Sequence, residues 1–359
     1  MTTKTRYFVI TSLLVLGVGV GTSLVAYYAG FPMSALSRKG GPEELKYAPH
    51  DPTVLAYVDV QKMMTSELRR KVHEAVPMTE NGQREFQDQT GINIETDIDH
   101  IVAFVAPGPD NSLTSGSGPA GFSGGGMMLA RGTFDAVKIE ALMREHGAHI
   151  EDYKGKRLIV ADMHKGRTVE IHNDGTQDTR PAPTVATTND SFALAFLEPG
   201  LAAVGHASLL RAGIDNQVTG QNVIGNDDMM NRVRSLDGGT AWALGRFDVI
   251  QKQANLPANL TNQLPPITWF SISSHVNGGI RAVISAEARD EESANNLRDV
   301  VRGFMALAKM QAGSKPEYQT MMRSLELGGS DKNVVLSFAI PSDVFDIISK
   351  SRIAEKLHH

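Results

Sequence analysis

The sequence predicts an α+β fold in which an N-terminal transmembrane helix precedes largely antiparallel sheets with helices on one face, arranged as two related halves. Three observations lead to this prediction. A long apolar run lies near the N-terminus, short strand patterns joined by tight turns outnumber long helical patterns, and one strand-to-helix motif occurs twice. Short antiparallel strands with segregated helices are typical of the α+β class.

The apolar run extends from Tyr7 to Gly30 and contains no charged residue. As a helix it would be roughly 36 Å long, which is enough to cross a hydrocarbon core of about 30 Å. Tyr7, Tyr27 and Tyr28 lie at its ends, where aromatic rings favour the membrane interface. A cleaved signal peptide has a shorter apolar core of about 7–15 residues, so we interpret the run as an uncleaved anchor.

The charges around the anchor bear on its orientation. Lys4 and Arg6 precede it, and Arg38 and Lys39 follow it, so the balance of positive charge is nearly even. The short segment in front and the large domain behind favour a cytoplasmic N-terminus. We therefore expect a single-pass protein of the inner (cytoplasmic) membrane, with its globular domain in the periplasm or outside the cell.

Two glycines in the anchor, Gly17 and Gly21, are four residues apart and share one side of the predicted helix. Small residues at this spacing let a second transmembrane helix approach closely. The sequence therefore predicts that the anchor associates through this side, either with a second copy of the chain or with the helix of a partner.

Composition and periodicity divide the chain into six segments. These are a cytoplasmic tail (1–6), the anchor (7–30), a linker with proline and glycine (31–50), a first α+β half (51–228), a second α+β half (229–350) and a C-terminal tail (351–359).

A strand followed by a capped helix recurs along the chain. The strand pattern at 54–60 reaches Asp59 before helical spacing begins, and the motif Ala-x-Gly-x-Phe-Asp ends at Asp135 and again at Asp248. Aspartate caps helices well because its carboxylate accepts hydrogen bonds from the free amides of the first turn. We therefore interpret Asp135 and Asp248 as caps of equivalent helices rather than as a catalytic carboxylate pair. The motif glycines, Gly132 and Gly245, are expected at equivalent strand ends.

Several strand patterns predict hairpins. The predicted hairpins pair 155–163 with 168–173, join 191–198 to the following strand through Pro199 and Gly200, and join 267–276 to the next strand through 277–279. Asp290 then precedes a long amphipathic pattern that extends to Lys309, and we expect it to cap that helix.

Several short stretches of the chain are similar to those of a known group of proteins. They are Pro52–Asp59, Gly91-Ile92 with Asp97-Ile98, the two Ala-x-Gly-x-Phe-Asp units and Tyr153-Lys154-Gly155. On these residues the chain resembles bacterial single-pass membrane-anchored proteins with an exported α+β domain of unknown function. The resemblance covers most of residues 50–350. It implies an exported repeat domain behind one anchor, and it brings no catalytic residues.

Composition excludes several kinds of chemistry. The chain has no cysteine, so disulfides, thiol nucleophiles and thiolate metal sites are excluded. The formal net charge is −5 and the cations are dispersed, whereas a nucleic-acid partner requires clustered lysine and arginine.

Two patterns resemble catalytic or metal-binding motifs. Ser123 lies in a Gly-x-Ser-x-Gly match, but its surroundings are a loop rich in Gly, Ser and Pro instead of the strand and helix that a nucleophile elbow needs. His146 and His149 are three apart, but Gly147 between them predicts the end of a helix. We assign no catalytic residue, no metal ligand and no cofactor-binding residue, and we expect no cofactor.

These observations favour a non-enzymatic, membrane-anchored extracytoplasmic protein that serves as a scaffold or accessory subunit of a membrane or envelope complex. Its expected partners are the lipid bilayer and other membrane or envelope proteins. Association of the anchor helix with a second copy would give a homo-oligomer. Two alternatives remain open: a membrane-tethered hydrolase with an unrecognised site, and a ligand- or lipid-binding domain with a cavity between the two halves.

Overall fold

The computed structural model describes residues 41–67, 69, 80–106, 126–162, 170–171, 177–178, 191–236, 238–253, 265–276, 278–312, 319 and 322–341. The predicted anchor with Gly17 and Gly21, the loop that contains Ser123, and the C-terminal tail lie outside these residues. Within the described ranges, no helix is long and apolar enough to cross a membrane.

The fold is mixed α+β, with a large antiparallel sheet of twelve strands, which confirms the predicted class. The strand order in this sheet is β13-β14-β12-β11-β10-β1-β2-β3-β9-β8-β5-β4, and β6 pairs separately with β7. The strands are β1 (Val54–Asp59), β2 (Ile98–Val105), β3 (Gly126–Gly132), β4 (His149–Tyr153), β5 (Lys156–Asp162), β6 (Glu170–Ile171), β7 (Gln177–Asp178), β8 (Ser191–Glu198), β9 (Leu201–His206), β10 (Ala241–Arg246), β11 (Ile267–Val276), β12 (Gly279–Ala288), β13 (Glu326–Gly328) and β14 (Asn333–Pro341).

Helices connect many of these strands. The described α-helices are α1 (Val60–Met64), α2 (Glu80–Thr90), α3 (Ile94–Asp97), α4 (Ala136–Glu145), α5 (Ala207–Thr219), α6 (Asp227–Leu236), α7 (Phe247–Gln253) and α8 (Glu291–Ala312), and the 3-10 turns are η1 (Glu43–Tyr47) and η2 (Val223–Gly225).

The helices pack on both faces of the sheet, whereas the sequence predicted helices on one face. Successive residues of a strand point to opposite faces, so Leu55 and Val58 of β1 belong to different apolar clusters. We call the Leu55 side face A and the Val58 side face B. Face A buries apolar residues of η1, η2, α5 and α6, while face B packs against α1, α2, α3, α4, α7 and α8. Because strands such as β1, β2 and β3 are apolar on both sides, each side requires its own cover.

β1 and β10 form the antiparallel pair at the centre of the sheet, with Val54 opposite Gly245 and Val58 opposite Ala241. One side of this pair contains, in chain order, β1, α1 to α3, β2, β3, α4, β4 and β5. The other side contains β10, α7, β11, β12, α8, β13 and β14. On both sides the last two strands lie farthest from the centre, and the first side additionally carries the β8–β9 hairpin between β3 and β5.

The repeated motif occupies different places in this order. Its first copy joins β3 to α4, and β3 is the third strand in chain order on its side of the β1–β10 pair. Its second copy joins β10 to α7, and β10 is the first strand in chain order on the other side. The expected equivalence of Gly132 and Gly245 is therefore wrong. A short motif that encodes a strand end, a glycine and a helix start can serve any strand-to-helix junction, so it does not mark equivalent positions.

Three of the predicted helix caps are confirmed. The carboxylates of Asp59, Asp135 and Asp290 accept hydrogen bonds from the backbone N–H groups of Lys62 (2.8 Å), Lys138 (2.9 Å) and Ser293 (2.8 Å). Asp248 is instead the second residue of α7, which begins at Phe247. The predicted cap position of Asp248 is therefore wrong, although an acid in the first turn still complements the helix dipole.

The hairpin predictions have mixed outcomes. β8 and β9 pair through the predicted turn, in which Gly200 has φ 71°, and β11 pairs with β12 as expected. The prediction for 155–163 is wrong, since β5 pairs with β4 and β8. In the β4–β5 hairpin, Tyr153 lies opposite Lys156, and both turn residues, Lys154 (φ 50°) and Gly155 (φ 75°), have positive φ as a type I′ turn requires.

Candidate functional site

Ionisable side chains gather on face A where η1 crosses the sheet. Their positions follow from four elements: η1 supplies Glu44, Lys46 and Tyr47, and one residue each comes from β2 (His100), β3 (Arg131) and β8 (Glu198). We call these six residues the η1 cluster.

η1 is held in place by its own apolar residues. Leu45 is fully buried and Tyr47 is 2% exposed, so both belong to the main core on face A. The backbone turn closes through hydrogen bonds from Leu45 N–H to the Pro42 carbonyl (3.2 Å) and from Ala48 N–H to the Leu45 carbonyl (3.0 Å). Because Leu45 is buried, the preceding residue, Glu44, also lies in the interior, and its carboxylate is buried.

Glu44 is the centre of the cluster and is only 2% exposed. Its Oε1 accepts from Arg131 Nε at 2.8 Å and lies 2.7 Å from Arg131 Nη2, while its Oε2 lies 3.1 Å from His100 Nε2. His100 and Arg131 are opposite each other on the paired strands β2 and β3, so the sheet register brings both to one carboxylate. Burial acts to raise the pKa of Glu44, but His100 and Arg131 more than offset it and lower this pKa to about 2.

Glu198 forms the second half of the cluster. Its Oε1 accepts from the Tyr47 hydroxyl at 2.9 Å and lies 2.6 Å from Lys46 Nζ, and its Oε2 lies 3.4 Å from Arg131 Nη2. Burial acts to raise the pKa of Glu198, yet Lys46 and Tyr47 lower it overall. Burial raises the pKa of Tyr47, and its hydrogen bond to Glu198 raises it further.

An aromatic row continues from the cluster toward the centre of the sheet. The Tyr57 ring lies 5.6 Å from the His100 ring and stacks on the Trp242 ring at 5.8 Å between centroids. Trp242 is 1% exposed. The His100 ring is therefore fixed between Glu44 and a packed aromatic core.

The charged side chains of the η1 cluster neutralise one another. Two carboxylates, Glu44 and Glu198, face two cationic side chains, Lys46 and Arg131. A buried carboxylate beside a histidine resembles an acid–base pair, but Oε1 of Glu44 accepts from Arg131, and Oε2 faces a His100 ring that is held on the sheet. An anionic substrate would have to displace one of these carboxylates. The arrangement is therefore suited to fastening η1 to β2, β3 and β8.

Residues that the sequence singled out lie elsewhere. Asp135 caps α4 and is engaged there. His146 ends the same helix with its Nδ1 2.7 Å from the Leu142 carbonyl, and His149 is an exposed residue at the start of β4. Over the described part of the chain, no group of three His, Cys, Asp or Glu residues is placed to hold a metal ion.

Sequence patterns do not reveal the η1 cluster, because Glu44 falls in the predicted linker, 31–50. The structure shows that the last part of this segment is folded, since Glu44, Leu45, Tyr47 and Ala48 are all buried. Proline and glycine around 40–42 suggested a linker, whereas the apolar pair Leu45 and Tyr47 was the available signal that the fold begins earlier.

Acid should weaken the η1 cluster. The pKa of Glu44 is about 2 in the folded chain against an ordinary value of 4.5, so its contribution is present in full above about pH 4.5 and is lost as the pH falls toward 2. This contribution is at most about 3 kcal/mol, since one pKa unit corresponds to about 1.4 kcal/mol. We expect the free energy of unfolding, measured with urea at several pH values, to fall more steeply over this range for the parent than for Glu44→Gln. Parallel pH curves would contradict the assignment.

We found no match between this chain and a protein-family model, a curated protein or a solved structure.

Proposed function

We propose that this chain is a non-enzymatic, membrane-anchored extracytoplasmic protein that acts as a scaffold or accessory subunit of a membrane or envelope complex. The observation that carries the proposal is the η1 cluster. It fastens the first described element after the apolar run, Glu43–Tyr47, to β3 and β8 by ion pairs, of which the Glu44–Arg131 pair has a buried carboxylate, and it places the same carboxylate beside His100 of β2.

η1 follows the apolar run after a short segment of the chain, so its attachment to the sheet determines how the domain is connected to the anchor. The apolar run ends at Gly30 and the first described residue is Gly41, so residues 31–40 separate them. Ten residues span at most about 35 Å when fully extended. A domain on so short a tether stays near the bilayer, and tension on the tether passes through η1 into β2, β3 and β8. These are properties that a membrane-bound scaffold requires.

The proposal includes a two-part construction of the domain, with a first half at 51–228 and a second half at 229–350. It is supported by the matching order of strands and helices on the two sides of the β1–β10 pair. Contact with membrane partners, or with a second copy, through Gly17 and Gly21 of the anchor also belongs to the proposal.

The two alternatives receive less support. A hydrolase would need an available acid–base pair, whereas the carboxylates of the η1 cluster are bound to fixed cations. A ligand cavity between the halves would open at their junction, but there β1 and β10 are hydrogen-bonded neighbours, and Leu55, Trp242 and Leu244 are at most 2% exposed.

The proposal predicts that the full chain stays in the membrane pellet after alkaline carbonate washing. Protease added to intact spheroplasts should digest the domain, because it lies outside the cytoplasm, and inside-out vesicles should protect it. Amine-reactive crosslinking of the same membranes should convert the chain into larger species, because a protein without chemistry of its own acts through contact.

Each part of this experiment has a contrary outcome. Release by carbonate would contradict the anchor, and digestion only in inside-out vesicles would reverse the orientation. A chain that remains monomeric after crosslinking, while a known membrane complex in the same sample is crosslinked, would contradict the scaffold role.

A further inference from the structure

The chain reaches the central sheet through a segment that lies on the sheet without forming a strand of it. We call this segment, residues 41–52, the strap. It contains η1 and ends just before β1, and the strand order of the twelve-stranded sheet includes none of its residues. Leu45 and Tyr47 of the strap are buried in the core on face A. Removal of the strap from face A would therefore require no pair of strands to separate.

The backbone of the strap is attached differently from the backbone of β1. In the strap, the Ala48 carbonyl accepts from Val223 N–H at 3.3 Å, and Pro49 forms an isolated bridge with Asn222. β1 is paired from Val54 onward with both β2 and β10. A segment held mainly by side chains can open locally, whereas a central strand opens only when the sheet does.

The polar side-chain contacts of the strap follow one another along the chain. In chain order they are Glu44 with His100 and Arg131, Lys46 and Tyr47 with Glu198, the Tyr47 carbonyl with Asn216, the His50 carbonyl with Asn226, and Asp51 with Arg246. A pull from the N-terminal end loads these contacts one after another, starting at Glu44. A pull along β1 loads its hydrogen bonds to two neighbouring strands together. We therefore expect the strap to detach at lower tension than β1.

Detachment of the strap leaves the sheet side of the η1 cluster paired. Glu44 and Lys46 have opposite charges and would leave together, so the charge that remains on the sheet is balanced. Arg131 and Glu198, which stay on β3 and β8, are already 3.4 Å apart. Neither is then left as an uncompensated charge, which is the costly result of breaking a buried ion pair. The buried apolar residues of η1 keep the strap attached when there is no tension.

We propose that the strap is a releasable part of the tether, which detaches from face A under tension while the sheet stays folded. This inference rests on the proposed function, because tension arises when the bilayer holds the anchor and a partner holds the domain. The strap comprises twelve residues, so its release adds up to about 42 Å of extended chain. The greatest reach of the tether then increases from about 35 Å for 31–40 to about 77 Å for 31–52. The domain can thus follow a partner away from the bilayer and remain anchored.

Pulling on single molecules tests the release directly. Because the chain has no cysteine, Ser37→Cys and Gln61→Cys can carry the two handles of an optical trap, with the full chain held in a lipid bicelle. Gln61 is an exposed residue of α1, the helix that follows β1, so the force passes through the strap and then through β1. We expect two separate lengthening steps as the force rises. The first, of up to about 42 Å, comes from the strap, and the second, at higher force, comes from β1.

Two further measurements test the cause of the attachment. With Glu44→Ala, the lifetime of the attached strap at constant force should fall at least about tenfold, because the buried ion pair is lost, while the force that detaches β1 stays the same. Glu43→Ala, at the exposed neighbouring position, is the matched control and should leave both quantities unchanged. Hydrogen exchange of the parent chain needs no substitution and no force, and the amides of η1 should open at least about tenfold more often than those of β1.

Three outcomes would overturn the inference. A single step in which the strap and β1 detach together would show that the strap opens only with the sheet, and equal opening of the η1 and β1 amides would show the same. An unchanged lifetime in Glu44→Ala would show that the η1 cluster does not hold the strap. Failure of the proposed function is distinguishable, because carbonate washing would then release the chain from membranes whatever the number of lengthening steps.

Discussion

Replacing Glu44 with alanine is expected to lower the free energy of unfolding by about 3 kcal/mol, the cost typical of removing one partner from a buried ion pair. Glu44 is nearly inaccessible to solvent and is the principal acceptor for Arg131. Without it, Arg131 retains only longer contacts, with Glu198 at 3.4 Å and with the Pro199 carbonyl at 3.5 Å, and His100 loses the carboxylate beside its Nε2. Urea unfolding of the full chain in detergent, followed by the fluorescence of its two tryptophans, Trp242 and Trp269, measures this loss.

The neighbouring substitution Glu43→Ala is the matched control. Glu43 is exposed on the same turn, so its removal should change the free energy of unfolding by no more than about 0.5 kcal/mol. Equal effects at the two positions would show that the helical turn, and not the buried charge, determines stability.

A double substitution separates a structural cluster from a catalytic one. Replacing both Glu44 and Arg131 with methionine removes both charges while keeping volume, and such replacements are often neutral. If the cluster serves to fasten η1, the double variant should be more stable than Glu44→Met alone and should keep its place in the membrane assembly. A stable double variant that had lost its assembly would contradict this interpretation.

Local chemistry explains which parts of the fold the sequence predicted. Asp59, Asp135 and Asp290 act within three residues of themselves, and the Pro199-Gly200 turn is fixed by the conformations its own residues favour. Such features can be predicted from sequence because cause and effect are adjacent in the chain.

The features that were missed depend on distant residues. The apolar run 158–161 identifies β5 as a strand but not its partners, which are β4 on one side and β8 on the other. Arg131 lies 87 positions from Glu44, and Glu198 lies 151 from Tyr47. Only the assembled sheet brings these charges together. The local sequence around Glu44 contains proline and glycine, which predict a linker.

Gly132 offers a sharp test of the packing at a strand-to-helix junction. A Cβ atom at this position would lie 2.0 Å from the Asp97 carbonyl oxygen and 3.0 Å from Ile98 Cα. These are backbone atoms, which cannot rotate away as a side chain can. The Asp97 carbonyl is also held in place, because it accepts from Thr133 N–H at 2.7 Å, and Gly132 N–H donates to the Gly200 carbonyl at 2.9 Å.

Gly132→Ala is therefore expected to lower the free energy of unfolding by about 2–3 kcal/mol, as overpacking of a rigid interior does. The same substitution at Gly303, inside α8 with no neighbouring atom within 4 Å, should raise it by about 0.5–1 kcal/mol, since alanine is the better helix former. In the second copy of the motif, a Cβ at Gly245 would meet the Phe270 ring at 2.4 Å. A ring can shift, so Gly245→Ala should cost less than Gly132→Ala. Urea unfolding of the three variants measures this order. If Gly132→Ala is as stable as the parent, the Asp97 backbone yields readily, and close approach is not what requires a glycine there.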